Sequence, residues 1–290
     1  MPSCFIGHFD EKGCNQVFSS TGDTIPIGLN PRSRQPRMEG YSNDHIERHP
    51  YVVSIQRYGK HICGGSIHSE NVVLTSAHCI RDSSILGLTV RAGTSNWKTG
   101  GSEHEVIYAR LHEDYRENSP GCKDVALLKL RNSIKLDNKT TQAIDLFEKN
   151  EVLNDTVTAT AMGWGRTQGE SLTSLDYLWY LVRYPFYGRD KSVLLSNDLR
   201  SIVLHTMSSS DCRKISNWCV EDFICTDISG KVICKGDSGG PLVVHGRQVG
   251  IATASGGCGM SERLKNNSIF TNVALYRDWI DKYARILSLI

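Results

Sequence analysis

Residues 231–244 read KVICKGDSGGPLVV, a stretch that changes character twice within its length. It opens with an aliphatic pair, Val232-Ile233, passes through the glycine-rich core GDSGGP, and leaves through Pro241 into a β-branched run. Glycines on either side of Ser238 let the backbone turn sharply and present two N–H groups to one point. Composition alone allows a tight turn or a phosphate cradle, but the Lys-Ser/Thr ending of a phosphate-binding loop is missing. The run that continues from Pro241, PLVVHGRQVGIATA (241–254), is strand-like and broken by glycine.

Working outward, the same pattern recurs from Tyr51 onward: YVVSIQRY (51–58), SIHSENVVLTSA (66–77), LTVRAG (88–93), VALLKL (125–130) and TVTATAMGWG (156–165). Many short strands separated by turn-forming residues indicate an all-β sandwich or barrel. Only NVALYRDWIDKYARIL (272–287) has helical spacing, with Val273, Tyr276, Ile280 and Tyr283 on one face and Asn272 placed to cap it. Residues 1–37 have neither period and end in the basic NPRSRQPR, which reads as a pro-segment or as a solvated linker.

The composition excludes several classes. With 290 residues, 39% of them hydrophobic and 22% charged, the chain has ordinary globular composition. A net charge of +2 gives no footing for nucleic acid, and no apolar run is long enough to span a membrane. Ten cysteines, scattered outside any Cys/His zinc spacing, favour disulfides and an oxidising compartment. Sequons at Asn138, Asn154 and Asn266 point the same way. The first residues lack the basic and apolar regions of a signal peptide, so the oxidising route is expected from a start not visible in this sequence.

Three segments carry chemistry. In VVLTSAHC a strand runs into His78 and Cys79; a lone histidine at a strand end is more often structural than catalytic. In CKDVALLKL, Asp124 heads an apolar strand, and a buried carboxylate there must find a donor. In GDSGGP, Ser238 sits between glycines. Together they supply, in the order His, Asp, Ser, the parts of nucleophilic acyl transfer: attacking hydroxyl, imidazole base, orienting carboxylate and backbone donors for an oxyanion.

With TSAHC, DVALLKL, GWG and GDSGGP in this order, the chain from about Met38 to its end resembles the trypsin/chymotrypsin family of serine proteases. The resemblance implies an all-β fold of two packed six-stranded antiparallel β-barrels with a C-terminal α-helix, the site lying between the barrels. It makes His78 the general base, Asp124 its partner and Ser238 the nucleophile, with Gly236 and Ser238 supplying the oxyanion N–H groups. It divides the chain into an activation peptide, 1–37, and a protease domain, 38–290. Cleavage after Arg37 would free the Met38 amine to pair with Asp237, although Glu39 and Tyr41 depart from the family's usual mature start.

The resemblance also assigns cysteines: Cys63–Cys79, Cys212–Cys225 and Cys234–Cys258, the first closing a loop of about 15 residues for roughly 3 kcal/mol. A fourth family bridge would need cysteines at Ala159 and Val244, and both are absent. Of the remaining four, Cys122–Cys219 is expected across the rim of the cleft and Cys4–Cys14 within the pro-segment, unless Cys4 or Cys14 tethers that segment to the protease. At the pocket floor, six residues before the nucleophile, stands Val232, followed by Ile233. Ser255 and Ser268 replace wall glycines, Ala254 a wall tryptophan, and Thr253 the serine whose hydroxyl supports the buried aspartate. This implies an elastase-like pocket for small or medium aliphatic side chains. Residues 175–198 exceed the family pattern and read as a surface or substrate-rim insertion or as a gene-model artefact.

The expectation is therefore a secreted, monomeric serine endopeptidase made as a zymogen and needing no cofactor or metal. Its partners would be polypeptide substrates, an activating trypsin-like protease and protein protease inhibitors, with no nucleic acid or membrane. The alternative is a non-catalytic homologue acting as a binding or cascade-regulatory module, against which stands the intact His78, Asp124, Ser238 set.

Overall fold

Period-two alternation of apolar residues builds the fold because each central strand faces a different core on either side. The computed structural model describes residues 16–18, 24–26, 42–116, 122–149, 151–153, 156–166, 195–215, 219–227, 232–255 and 267–290. The chain forms two compact units, Met1–Arg37 and Met38–Ile290. In the first, β1 (Gln16–Phe18) and β2 (Thr24–Pro26) pair antiparallel.

The larger unit contains β3 (Ser42–Asn43), β4 (Val52–Arg57), β5 (Lys60–Ser69), β6 (Val72–Thr75), β7 (Leu88–Ala92), β8 (Ser102–Leu111) and β9 (Ala126–Leu130). Then come β10 (Thr158–Gly163), β11 (Arg200–His205), a short helix α1 (Ser209–Ile215), β12 (Phe223–Cys225), β13 (Pro241–Val244), β14 (Arg247–Ser255), β15 (Ser268–Asn272) and helix α2 (Val273–Ser288). Strands β4-β5-β6-β9-β8-β7 close into a barrel. The second sheet has the order β12-β15-β14-β13-β10-β11-β3. Its first six strands are drawn together by a bridge between Thr206 and Thr226, and the two-residue β3 adds a seventh at the edge of β11.

Among the described residues three large cores arise from the alternation, with a small fourth around Cys212, Phe223, Cys225 and Ile269. Val53, Ile55, Val73, Leu128 and Leu130 fill the first barrel. Ala159, Ala161, Leu242, Val244 and Phe270 pack inside the second sheet. Between them lies a shared core in which Val52, Leu74, Leu127 and Trp164 meet Val243, Ile251 and the buried face of α2. Thus Leu127 and Leu128, neighbours in β9, serve different cores, and so do Leu242 and Val243 in β13. Asn272 caps α2, its side chain accepting from Ala274 N, and Tyr276, Ile280 and Ala284 bury one face. Tyr283 packs half-buried against the same core.

Cys63–Cys79, Cys122–Cys219 and Cys212–Cys225 are disulfides. Cys234 is also disulfide-bonded; Cys258, Cys4 and Cys14 lie outside the described residues, as does the 175–194 part of the expected insertion. The end of that insertion is seated: Leu195 bridges to Arg166, Asp198 bridges to Asn96, and Trp97 Nε1 donates to Ser196 O at 2.9 Å.

β10 and β13 pair Thr160 with Val243 and Ala161 with Leu242, which makes Ala159 and Val244 the next partners in register. Both are buried in one core, so apolar packing stands where two sulfurs would fit. The double variant Ala159→Cys/Val244→Cys is expected to oxidise spontaneously and to raise the unfolding free energy by up to about 4 kcal/mol, less any strain. Comparing chemical denaturation with and without reductant checks this, and equal stability in both would contradict the register.

Candidate active site

Asp124 reaches its place because β9 is buried along its whole length and the carboxylate heads it. The residue is 1% exposed, so it requires donors. His78 supplies two. Its backbone N donates to Asp124 Oδ1 at 2.8 Å and its Nδ1 lies 2.7 Å from Asp124 Oδ2. Because an ionised carboxylate only accepts, Nδ1 carries the proton and Nε2 is left as the imidazole's acceptor. His78 lies in the 3-10 turn Ala77–Ser83 that comes after β6, with its side chain about a quarter exposed.

Ser238 approaches from the second sheet, in the turn leading into β13. Gly64 N, in β5, donates to Ser238 O at 2.7 Å, and Ser76 Oγ, two residues before His78, donates to Ala252 O at 2.9 Å. The first ties the serine turn to β5; the second meets the serine turn at Ala252 O, which also accepts from Gly239 N at 2.7 Å. Among the described contacts no hydrogen bond joins Ser238 Oγ to His78 Nε2, a gap common in structures without substrate.

Backbone hydrogen bonds hold the serine turn at Asp237, Gly239 and Gly240. Asp237 N donates to Cys234 O, Gly239 N to Ala252 O and Gly240 N to Asp237 O. Gly236 N and Ser238 N, the two expected oxyanion donors, make no hydrogen bond among the described residues. Gly236 has φ +104°, which a side chain would strain. The Asp237 carboxylate is buried and accepts from Gly165 N and Cys234 N, each at 2.8 Å. A Cβ at Gly165 would stand 2.2 Å from Asp237 Oδ2, so glycine is required there by close approach. Arg37 and Met38 lie outside the described residues.

A buried histidine that sequence reasoning passed over supports this turn. His61 Nε2 lies 2.9 Å from Gly236 O, so Nε2 is the protonated nitrogen and Nδ1 accepts from Ser54 Oγ at 2.8 Å. Trp97 and Trp164 flank its ring, and Gln56 Nε2 reaches both Ser54 Oγ and Trp97 O. Burial pushes His61 down to about 4, opposed by the bond to Gly236 O.

The expected pocket residues divide. Val232 is buried outside the three large cores. Ile233 belongs instead to the core of the second sheet, a consequence of alternate side-chain direction along an extended segment. Ser255 Oγ donates to Ile233 O at 2.6 Å, and Ser268 Oγ accepts from Ile233 N at 3.0 Å. The two hydroxyls therefore hold the Val232–Ile233 backbone. Ala254 packs half-buried beside Phe223 and Ile269.

Thr253 sits at a register shift in the β14–β15 pairing, and bulges of this kind re-aim side chains. Its hydroxyl meets Ile251 O and Thr271 Oγ1, and Thr271 Oγ1 donates to Asp124 O at 3.1 Å. The support it gives Asp124 thus runs through Thr271 to the backbone rather than to the carboxylate. The sulfurs near His78 are joined as Cys63–Cys79 and offer no thiolate to a metal.

The family model described as Trypsin matches residues 38–280. Trypsin epsilon of Drosophila erecta is 32% identical over 265 residues, covering 90% of this chain and 93% of that protein. Trypsin alpha of the same fly is 33% identical over 264 residues, covering 91% and 93%. Among solved structures, the scabies mite inactivated protease paralogue S-D1 superposes with a TM-score of 0.70 at 22% identity, covering 85% of this chain and 97% of that one. Neuropsin, a serine protease expressed in the limbic system of mouse brain, gives 0.68 at 23%, covering 84% and 98%. These two likenesses show the fold; the first, inactivated by its own description, means that fold alone does not decide activity.

His61 makes stability depend on pH. Its folded value lies below the ordinary 6.5, so between 6.5 and about 4 the unfolded chain binds the extra proton. Stability contributed by the neutral form is complete above 6.5 and is lost as pH falls toward 4, by on the order of 3 kcal/mol. The His61→Gln variant should lose that part of the acid dependence in urea unfolding measured from pH 7 to pH 4; parallel curves for both proteins would refute the assignment.

Proposed function

The chain belongs to the trypsin family of serine proteases, and from that premise we propose that it is a secreted serine endopeptidase, made as a zymogen and activated by cleavage after Arg37. The observation that carries this reading is the His78–Asp124 pair, buried on its aspartate side and linked to the Ser238 turn through Ala252 O, which accepts from both Ser76 Oγ and Gly239 N.

Ser238 Oγ attacks the carbonyl carbon of the scissile peptide while His78 Nε2 takes its proton. Asp124 fixes the Nδ1–H tautomer and stabilises the imidazolium that forms. The developing oxyanion is met by Gly236 N–H and Ser238 N–H, donors held in place by their bonded neighbours. His78 then gives its proton to the leaving amine, which departs and leaves an acyl-enzyme. Water attacks that ester with His78 again as base, releasing the acid and restoring Ser238.

Val232 at the pocket floor brings no charge, and burying an unpaired guanidinium or ammonium costs several kcal/mol. The Ser255 and Ser268 hydroxyls are already engaged with the Ile233 backbone. Both facts support a narrow apolar pocket preferring small or medium aliphatic side chains. Secretion is supported by the disulfides and by the exposed Asn138 of the Asn-Lys-Thr sequon, presented at φ +54° in a turn tied by Asp137. Among the described residues no helix is long and apolar enough to cross a membrane.

The test uses the Arg37-cleaved protein on a peptide library, with Ser238→Ala as control. Cleavage after alanine or valine, with both cleavage and fluorophosphonate labelling lost in Ser238→Ala, is expected. Preference for arginine or lysine would sink the pocket assignment, and an unlabelled cleaved wild type would favour a binding homologue.

A further inference from the structure

Asp124 is preceded by an unusual pair of anchors. Lys123 has φ +55°, a left-handed conformation that a long side chain adopts only when surrounding contacts hold it. Those contacts come from a segment nearly a hundred residues away, in the second half of the protease unit. Asp222, 3% exposed, lies in the 3-10 turn Val220–Asp222. Its Oδ2 accepts from Lys123 N at 3.3 Å and its Oδ1 from Lys123 Nζ at 3.1 Å. One carboxylate thus grips both the backbone and the side chain of the residue before Asp124.

The disulfide Cys122–Cys219 fastens the residue before Lys123 to the one three before Asp222, and Asp222 N donates to Cys219 O at 2.8 Å. Tyr276 of α2 places its ring 5.6 Å from Lys123 Nζ, and the Asp222 charge adds to burial in raising the Tyr276 hydroxyl above its ordinary range. Beyond Asp124 the chain is held again, where His112 N donates to Val125 O and Val125 N to Lys123 O. Among the described residues, His112 is coupled electrostatically to Lys123 and Asp222, and Tyr276 to Asp222 and Asp124.

Burial makes the contact selective. An exposed Lys–Asp pair contributes little, but a carboxylate with 4% of its side chain exposed must keep its donors or be left uncompensated. The left-handed turn at Lys123 would then relax, and the Asp124 carboxylate, at the next residue, would be re-aimed.

We propose that Asp222, through Lys123 and beside the Cys122–Cys219 disulfide, is a positioning residue that aims the Asp124 carboxylate at His78. The proposal rests on the Ser238, His78, Asp124 reading. It makes orientation of a residue carried by the first barrel depend on a carboxylate supplied with the second sheet. The rim disulfide then fixes the approach of the two segments while the ion pair fixes the rotation of the backbone between them.

The experiment measures kcat and KM for a peptide substrate with Asp222→Asn, Lys123→Met and Lys123→Arg in the Arg37-cleaved protein. Melting temperature and the low-field proton resonance of the His78 Nδ1–H···Asp124 bond are recorded alongside. Asp222→Asn and Lys123→Met are expected to lower kcat about 10- to 100-fold, the scale of an ångström misplacement. KM should stay within a factor of two or so, the low-field resonance should shift or broaden, and Lys123→Arg should recover most of kcat. Unchanged kcat in folded Asp222→Asn and Lys123→Met would overturn the proposal, as would a rise in KM alone, which would place the contact in substrate binding. If Asp222→Asn does not fold, Lys123→Met and its arginine counterpart decide. Retention of wild-type activity by Ser238→Ala would instead overturn the triad reading on which the proposal rests.

Discussion

A carboxylate almost wholly removed from water heads the last strand that completes the first barrel, and the architecture around it is arranged to satisfy it. Asp124 is 1% exposed, yet its two oxygens accept from the backbone and the ring of a single residue, His78. Losing either donor would leave charge in a region of low dielectric, at a cost of several kcal/mol. This constraint fixes the turn after β6 relative to the start of β9. It also fixes which nitrogen of His78 bears the proton, and hence what chemistry the exposed edge of the ring offers.

Alongside the Lys123–Asp222 ion pair, the second sheet meets this arrangement through hydroxyls and backbone groups. Ser76, Thr271 and Gly64 each bond across to the other half, and Trp164 Nε1 donates to Ser95 O. Beneath them the shared core draws alternate residues from β4, β6, β9, β13 and α2. A strand that faces two cores cannot slip by one residue without turning both faces wrong. The registers that set the Ser238 turn against β5 and β14 are therefore fixed by packing far from that side chain.

Much of this was legible in the sequence, for reasons that separate by range. The β-branched runs, the Asn272 cap and the His, Asp, Ser motifs are local signals, and the strands, α2 and the His78–Asp124 pair agree with them. Cys122–Cys219 was reached through resemblance and is present as a bond. The contacts that escaped have no local signature. His61 sits two residues before Cys63 in an ordinary strand pattern, and only the fold brings it to Gly236. Asp222 looks like one acidic residue in a polar loop, since its partner Lys123 is distant in sequence. Ile233 beside Val232 read as pocket, but alternation turns it into the core. Thr253 kept its hydroxyl, yet the register shift in the β14–β15 pairing directs it to Thr271 rather than to the Asp124 carboxylate. In each case tertiary register decided the outcome, and a single sequence carries no direct reading of that.

The central claim is that the buried Asp124 carboxylate holds His78 in the tautomer that activates Ser238. The most direct measurement is the peptidase kcat of Asp124→Asn in the Arg37-cleaved protein, with folding verified by its melting curve. The amide keeps the shape but disturbs the tautomer, and kcat should fall by about 10⁴-fold. A folded Asp124→Asn protein that retains more than about a tenth of wild-type kcat, against that expected loss, would contradict the account.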